Sequence, residues 1–339
     1  ISIDSCTNVI ATRCLFDQNT ATNRGGAINL ASAQASTQVV IEDSAFMGNS
    51  ATFGGAVFAD RSTILKVHQT DMMNNKAESE GGAILANAAS LDLMYVLMNS
   101  TQAQSALQCT ASLIHMQNVS VQHSNGPGLI GSFCDVNIWD GLFKSNAGGI
   151  QLASKSELTV QTSSFSENEA VHDGGAISCT DCSSVHVNDS ILENNVAPRG
   201  GAIAVMNTPS IVNAAIVKNK AEKGGGGGIF WTGKEPDWQG HFDGNTALYG
   251  SDIASNPETC VIQGERHVNV TDGRHLAQVI IQAFDHYSAH VHDLTMVSAT
   301  ATATANNAAD APVVGTLSTV MDLTSGTATF DDLILAAKP

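Results

Sequence analysis

The chain has 339 residues, 15 Lys plus Arg against 32 Asp plus Glu, a formal charge of −17, and 30 glycines. That length suffices for two domains, and that charge works against a face that neutralises nucleic-acid phosphates or docks on an anionic bilayer. No apolar run reaches the ~20 residues that a membrane-spanning helix requires, so direct membrane insertion is not expected.

The chain opens Ile1-Ser2-Ile3-Asp4, with a strand-like alternation and no basic segment or apolar signal core, which reads as a piece of a longer protein. A phrase then recurs: an apolar residue, two residues, Asn, a short polar stretch, Gly-Gly-Ala and an aliphatic residue. It runs from Phe16 to Asn19 with Gly25-Gly26-Ala27-Ile28, and from Phe46 to Asn49 with Gly54-Gly55-Ala56-Val57. Met72 to Asn75 with Gly81-Gly82-Ala83-Ile84 follows, then Phe165 to Asn168 with Gly174-Gly175-Ala176-Ile177, and Leu192 to Asn195 with Gly200-Gly201-Ala202-Ile203. Weaker copies at Leu107, Leu129, Ile150 and Ile229 complete a series whose steps are 29, 27, 23, 22, 21, 27, 26 and 26 residues.

A period near 25 without a leucine-rich consensus or a 3.6-residue periodicity selects short strands joined by turns, as in Val39-Val40-Ile41, Leu91-Asp92-Leu93 and Val185-His186-Val187. Nine coils at the ~4.8 Å strand spacing make a rod body roughly 43 Å long. Gly-Gly supplies a turn that a side chain would obstruct, and the aliphatic residue beside Ala stacks on its equivalent one coil away. Asn tolerates left-handed backbone, so Asn19, Asn49, Asn75, Asn99, Asn168 and Asn195 are expected to form a column passing amide hydrogen bonds between coils. The coils from about 99 to 150 lose the Gly-Gly-Ala phrase, which marks curvature or a lateral contact.

Gly-Gly-Ala-Ile paired with Phe-x-x-Asn resembles the repeats of chlamydial polymorphic outer-membrane proteins and their relatives in large surface proteins of protists and algae, over about residues 10–250. The resemblance implies a right-handed parallel β-helix exposed outside a cell, in a family associated with adhesion. No outer-membrane barrel is recognisable here, so autotransport does not carry over.

After Asn245 the period breaks and the rod is expected to close, giving a β-helix over 1–259. Gln278 to Asp285, Gly326 to Phe330 and Leu333 to Leu335 read as strands of a small immunoglobulin-like β-sandwich over 260–339, a spacer with a hairpin end at Asp285-His286-Tyr287. The expected fold is therefore all-β, a parallel helix followed by a sandwich.

Seven cysteines permit three bridges and one free thiol, in keeping with oxidising extracellular space. Cys179-Thr180-Asp181-Cys182 reads as a turn bridge, Cys109 with Cys134 as a staple between adjacent coils, and Cys6 with Cys14 as the third pair, leaving Cys260. Sequons at Asn99, Asn118, Asn188 and Asn269 permit glycosylation.

Chemistry is sparse. Asn188-Asp189, Asp181 and Gly240-His241 do not assemble into the phrases of β-helical polygalacturonases, and 15 basic residues furnish an anionic-sugar groove poorly. His286, His290 and His292 with Asp285 and Asp293 form a local cluster that no second ligand-rich segment completes, and it reads as a polar hairpin edge. No cofactor is implied; calcium bound unspecifically by scattered carboxylates stays open. The run Gly224 to Gly228 is a widened turn, not a phosphate loop. Trp231 and Trp238 flank one insertion, a candidate ligand loop or a cap on the rod.

The reading is an extracellular structural or adhesive protein, a building unit of a surface or fibre. Its partners would be other copies, neighbouring extracellular proteins or cell-surface glycans. A glycan-binding module or a polysaccharide-active enzyme on the same scaffold is the alternative.

Overall fold

A computed structural model describes residues 1–3, 8–31, 37–263, 279–292, 298–300, 313–314, 318–320, 327–330 and 334–335. Every regular element within them is a β-strand. Aliphatic residues alternate with polar ones along each run, and the chain turns at residues held in left-handed backbone.

Ten strands, from Ile28–Leu30 through Ile84–Asn87 to Ile253–Ser255, form one parallel sheet. The aliphatic positions of the repeat pair directly: Ile84 lies between Val57 and Leu107, and Ile177 between Ile150 and Ile203. Ten rungs bound nine turns of a right-handed solenoid. The last rung lies where the sequence period breaks: Ile253 still pairs with Ile229, so the coil outlasts the phrase that announces it.

A second, sixteen-stranded sheet wraps the next two faces. Its longest strands, Ile64–Met73, Ser90–Asn99 and Ser184–Glu193, run around the edge between those faces. The bend falls on a single left-handed residue in each, Gln69 (φ 47°), Tyr95 (φ 55°) and Asp189 (φ 48°). Inside, Phe16 stacks on Phe46 at 4.5 Å between ring centres and Phe143 on Phe165 at 4.9 Å, both pairs nearly parallel. Identical side chains in register stack this way because coils repeat at the strand spacing.

The third face carries only short ladders, Ser50–Phe53 on Lys76–Glu80 and Val196–Ala197 on Lys220–Ala221. Between them the coils shorten, and all but one residue of each coil's loss falls on this face. From Asn75 to Ile84 is 9 residues; from Thr101 to Leu107, Ser124 to Leu129 and Asn146 to Ile150 it is 6, 5 and 4; from Asn168 to Ile177 it returns to 9. A cleft of about 300 Å³ opens there, beside Pro127, Gly148 and Val171. The missing Gly-Gly-Ala phrases thus mark a notch cut in one face, with the strand ladders of the other two faces intact.

Past Asn256 the pairing changes from parallel to antiparallel: Pro257–Gln263, Val279–Asp285 and Thr327–Phe330 form a three-stranded sheet. Ala283 and Val291 of this part pack with Phe230, Tyr249 and Ala254 at the end of the rod.

Candidate functional site

The polar residues singled out from the sequence fall in three places: inside the corners of the solenoid, on its outer faces, and at its far end.

The interior corner holds an asparagine ladder. Asn19 Nδ2 donates to Asn49 Oδ1 at 2.9 Å, and Asn49 Nδ2 to Asn75 Oδ1 at 3.0 Å. Asn168 donates to Asn195 at 2.9 Å, Asn195 to Asn219 at 3.0 Å and Asn219 to Asn245 at 3.1 Å. The side-chain amides of Asn49, Asn168, Asn195 and Asn219 each make four hydrogen bonds. Asn195 Nδ2 also donates to the Phe165 carbonyl, and its Oδ1 accepts the Asn168 backbone N–H. Asn245 ends the column by donating to Asp252 Oδ1 at 3.0 Å.

The expected column needs correction in its middle. Asn99 is not a member: it pairs in register with Met73 and Gln122, on an outward column. Thr101 takes the inward place and donates to Ser124 Oγ at 2.8 Å, and Ser124 N–H donates to Asn146 Oδ1. Asn146, Asn219 and Asn245 belong to the ladder and were absent from the sequence expectation. The signal was there: Phe143-Lys144-Ser145-Asn146 and Phe242-Asp243-Gly244-Asn245 repeat Phe-x-x-Asn, and Ile216 to Asn219 repeats it with an aliphatic first residue.

Two hydroxyl ladders accompany it, which the sequence did not advertise because Ser and Thr are common everywhere. One runs from Cys14 N–H to Ser44 Oγ and from Ser44 N–H to Thr70 Oγ1, resuming where Gly141 N–H meets Ser163 Oγ and Ser163 N–H meets Ser190 Oγ. In the other, Ala89, Cys134 and Cys182 N–H groups donate to Ser112, Ser156 and Thr208. These side chains satisfy corner amides that the strand ladders leave unpaired.

The structure joins Cys109 to Cys134 and Cys179 to Cys182, all four buried. The first bridge ties one coil to the next; the second closes within one coil. Gly131 lies beside Cys109 in register, and a Cβ there would stand 2.6 Å from Cys109 Sγ, so a glycine makes the room for this bridge. The sequence separations are 25 and 3, and the loop-entropy relation gives about 3.5 kcal/mol for the longer closure and about 2 kcal/mol for the shorter. The double variant Cys109→Ser/Cys134→Ser is therefore expected to lower the urea midpoint more than Cys179→Ser/Cys182→Ser. Equal midpoints would contradict this. The expected Cys6–Cys14 pair rests on Cys6, which lies outside the described residues, as does the Asn269 sequon. Cys14 is half-buried and Cys260 exposed.

The remaining sequon asparagines lie on the outside. Asn99 is half-buried at a strand end, Asn118 occupies a left-handed corner (φ 51°), and Asn188 lies in register between Gln161 and Asn213.

At the far end the two tryptophans that flank the insertion differ in burial. Trp231 is 4% exposed, and its Nε1 donates to Tyr287 Oη at 3.1 Å. Trp238 is 41% exposed and packs edge-on against Phe242. The insertion between them contributes Glu235, which accepts the Tyr287 hydroxyl at 2.7 Å. Burial first, then this carboxylate, raise the Tyr287 pKa and keep the phenol protonated. Asp285, 3% exposed, accepts the N–H groups of Tyr287, Ala289 and Ser255, so it is spent on the turn.

His286 bridges the rod and the antiparallel sheet: its Nδ1 lies 3.0 Å from Glu258 and its Nε2 3.6 Å from Glu235. The hydrogen bond with Glu258 raises its pKa, the charges of Glu258, Glu235 and Asp285 add to this, and desolvation opposes it. A raised native value means that the contact's stabilisation is full below the unfolded value near 6.5 and is lost as pH climbs through the native one. Fluorescence of the neighbouring Trp231 is expected to titrate between mildly acidic and mildly alkaline pH, and His286→Gln to flatten that titration. An unchanged titration in the variant would assign it elsewhere.

Asp293 lies outside the described residues. Among the described residues, no group of three or more His, Cys, Asp or Glu is placed to hold a metal ion. No described helix is long and apolar enough to cross a membrane, which says nothing of a barrel.

Two family models match. Residues 96–247 fit a right-handed β-helix region, and residues 13–31 fit the Chlamydia polymorphic membrane protein repeat. No curated protein and no solved structure matches the chain.

Proposed function

We propose that this chain, a parallel β-helix of the polymorphic-membrane-protein repeat type, is a non-enzymatic structural and adhesive component of an extracellular surface. The observation that carries this reading is where the polar side chains go. Asn, Ser and Thr at the corners are consumed in ladders that hold coil to coil, a design that supports a long self-standing rod. Charged side chains on the described faces meet in small groups, Asp173 with Arg199 at 2.7 Å and His68 between Glu42 and Asp92 at 3.9 and 3.8 Å, and the structural reading assigns these to the surface of the rod. The repeat match supports a surface location, and the part after Asn256 would serve as an immunoglobulin-like spacer.

Long lateral faces suit association with other copies, neighbouring structural proteins or glycans. Sedimentation velocity with negative-stain imaging, with and without calcium, tests the building-unit role. End-to-end or lateral fibres are the expected result. Single rods under all conditions would remove that role and leave adhesion.

A further inference from the structure

One outer strip of the second sheet differs from the rest of this acidic chain. On the rungs Leu113–Gln117, Asp135–Trp139, Glu157–Gln161 and Ser184–Glu193, two adjacent outward columns carry no Asp, Glu, Lys or Arg. One column runs Gln117, Trp139, Gln161, Asn188 and Asn213 in direct register. The other runs His115, Asn137, Thr159 and His186.

Trp139 lies at the centre. Its Nε1 donates to Gln161 Oε1 at 3.0 Å on the next rung, and its ring lies 4.9 Å from the His115 ring on the previous one. The indole is thus fastened at both ends along the rod axis, with its polar edge already satisfied. A half-buried indole held this way presents apolar ring surface without a free N–H. Tyr95 is 55% exposed at the bend that borders the strip, and the residue before it, Met94, pairs with Gln117, which pairs with Trp139. Two rungs therefore separate the aromatic positions, about 10 Å along the axis.

We infer that this strip binds an extended neutral polysaccharide lying along the rod. A pyranose ring has an apolar face that packs on an aromatic ring and a rim of hydroxyls that exchange hydrogen bonds with planar amides. Aromatics two rungs apart meet alternate sugars of an extended β-linked chain, and Gln117, Gln161 and Asn188 supply amides between and beyond them. Charge selects the neutral class: a formal charge of −17 repels uronate or sulfated chains, whereas the strip itself costs a neutral chain no ion desolvation. This inference rests on the adhesive reading, naming its ligand class, and does not depend on whether the rods polymerise.

The test is isothermal titration of the full chain with cellohexaose, chitohexaose and mannohexaose as neutral probes and a galacturonate hexamer as the charged one. The chain is produced without N-glycans, so neither the Asn118 sequon beside the strip nor the Asn188 sequon within it carries a resident glycan that could occupy it. Saturable binding of at least one neutral hexamer is expected, with none for the galacturonate. Trp139→Ala should weaken that binding at least tenfold and Tyr95→Ala by several-fold, while Trp238→Ala leaves it unchanged. Circular dichroism establishes that each variant is folded, and Gln161→Leu, which keeps the ring, provides a second weakening variant. Failure of all three neutral probes overturns the inference, as does equal binding by Trp139→Ala or preference for the acidic hexamer. Rods that assemble into fibres yet bind no neutral glycan would sink this proposal alone.

Discussion

Replacing Asn195 by alanine is expected to lower the stability of the rod by about 3–5 kcal/mol, among the largest effects of any polar substitution in it. The residue is fully buried and its amide makes four hydrogen bonds. Truncation strands the Asn168 N–H in a dry corner and removes one bond each from the Phe165 carbonyl and from the Asn168 and Asn219 side chains. Each lost partner costs about 1–3 kcal/mol in such a site, with partial relief from relaxation. Asn19→Ala, at the exposed end of the same column, should cost less than about 1.5 kcal/mol. Asn195→Asp separates shape from hydrogen bonding. It keeps the volume but turns the donor into an acceptor facing the Phe165 carbonyl and Asn219 Oδ1, so it is expected to be as damaging at neutral pH. Its stability should improve as the carboxyl becomes protonated at lower pH, because only the neutral acid restores a donor. Urea unfolding followed by circular dichroism distinguishes these outcomes; an Asn195→Ala midpoint equal to that of Asn19→Ala would show that the ladder holds little.

The second large effect is expected at Gly201. A Cβ there would collide with the Gly227 carbonyl and stand 2.6 Å from the Lys220 backbone. Every neighbour is main chain of the next coil, fixed by its own ladder, so no flexible side chain can give way. Gly201→Ala should cost more than about 3 kcal/mol or abolish cooperative folding of the C-terminal coils. Gly244→Ala provides the contrast. Gly244 has φ +64°, but the nearest atom to an added Cβ is the Lys218 Cγ at 3.3 Å, part of a side chain and not of the main chain. Only the left-handed conformation is penalised there, about 1 kcal/mol. Hydrogen exchange localises the damage: protection lost from the coils beside Gly201 and kept near Gly81 fits a solenoid whose coils contact only their neighbours. Comparable stability of the two variants would refute the close-approach account.

The repeat by itself determined the fold. Small residues at the turn and aliphatic residues beside them admit one regular solution, coils stacked in register, because any other arrangement would leave the glycines without purpose and the aliphatic columns exposed. The two disulfides were legible for the same reason: Cys109 and Cys179 share one position of the repeat, and Cys134 and Cys182 another.

Other features depend on which coil lies beside which, and a linear period does not carry that information. Asn99 and Thr101 are two residues apart, yet only the pairing of Asn99 with Met73 and Gln122 shows that it points outward and that Thr101 takes the ladder place. Trp231 and Trp238 look alike from the sequence, but the antiparallel sheet covers one and leaves the other at 41% exposure. The indole that lies open along a sheet face, Trp139, sits in an unremarkable run and gains its surroundings from His115 and Gln161 on adjacent rungs. Sequence sets the direction in which each side chain leaves its strand, through a period of two. What it meets there is set by residues some 25 positions away, and only the stacking of coils brings those together.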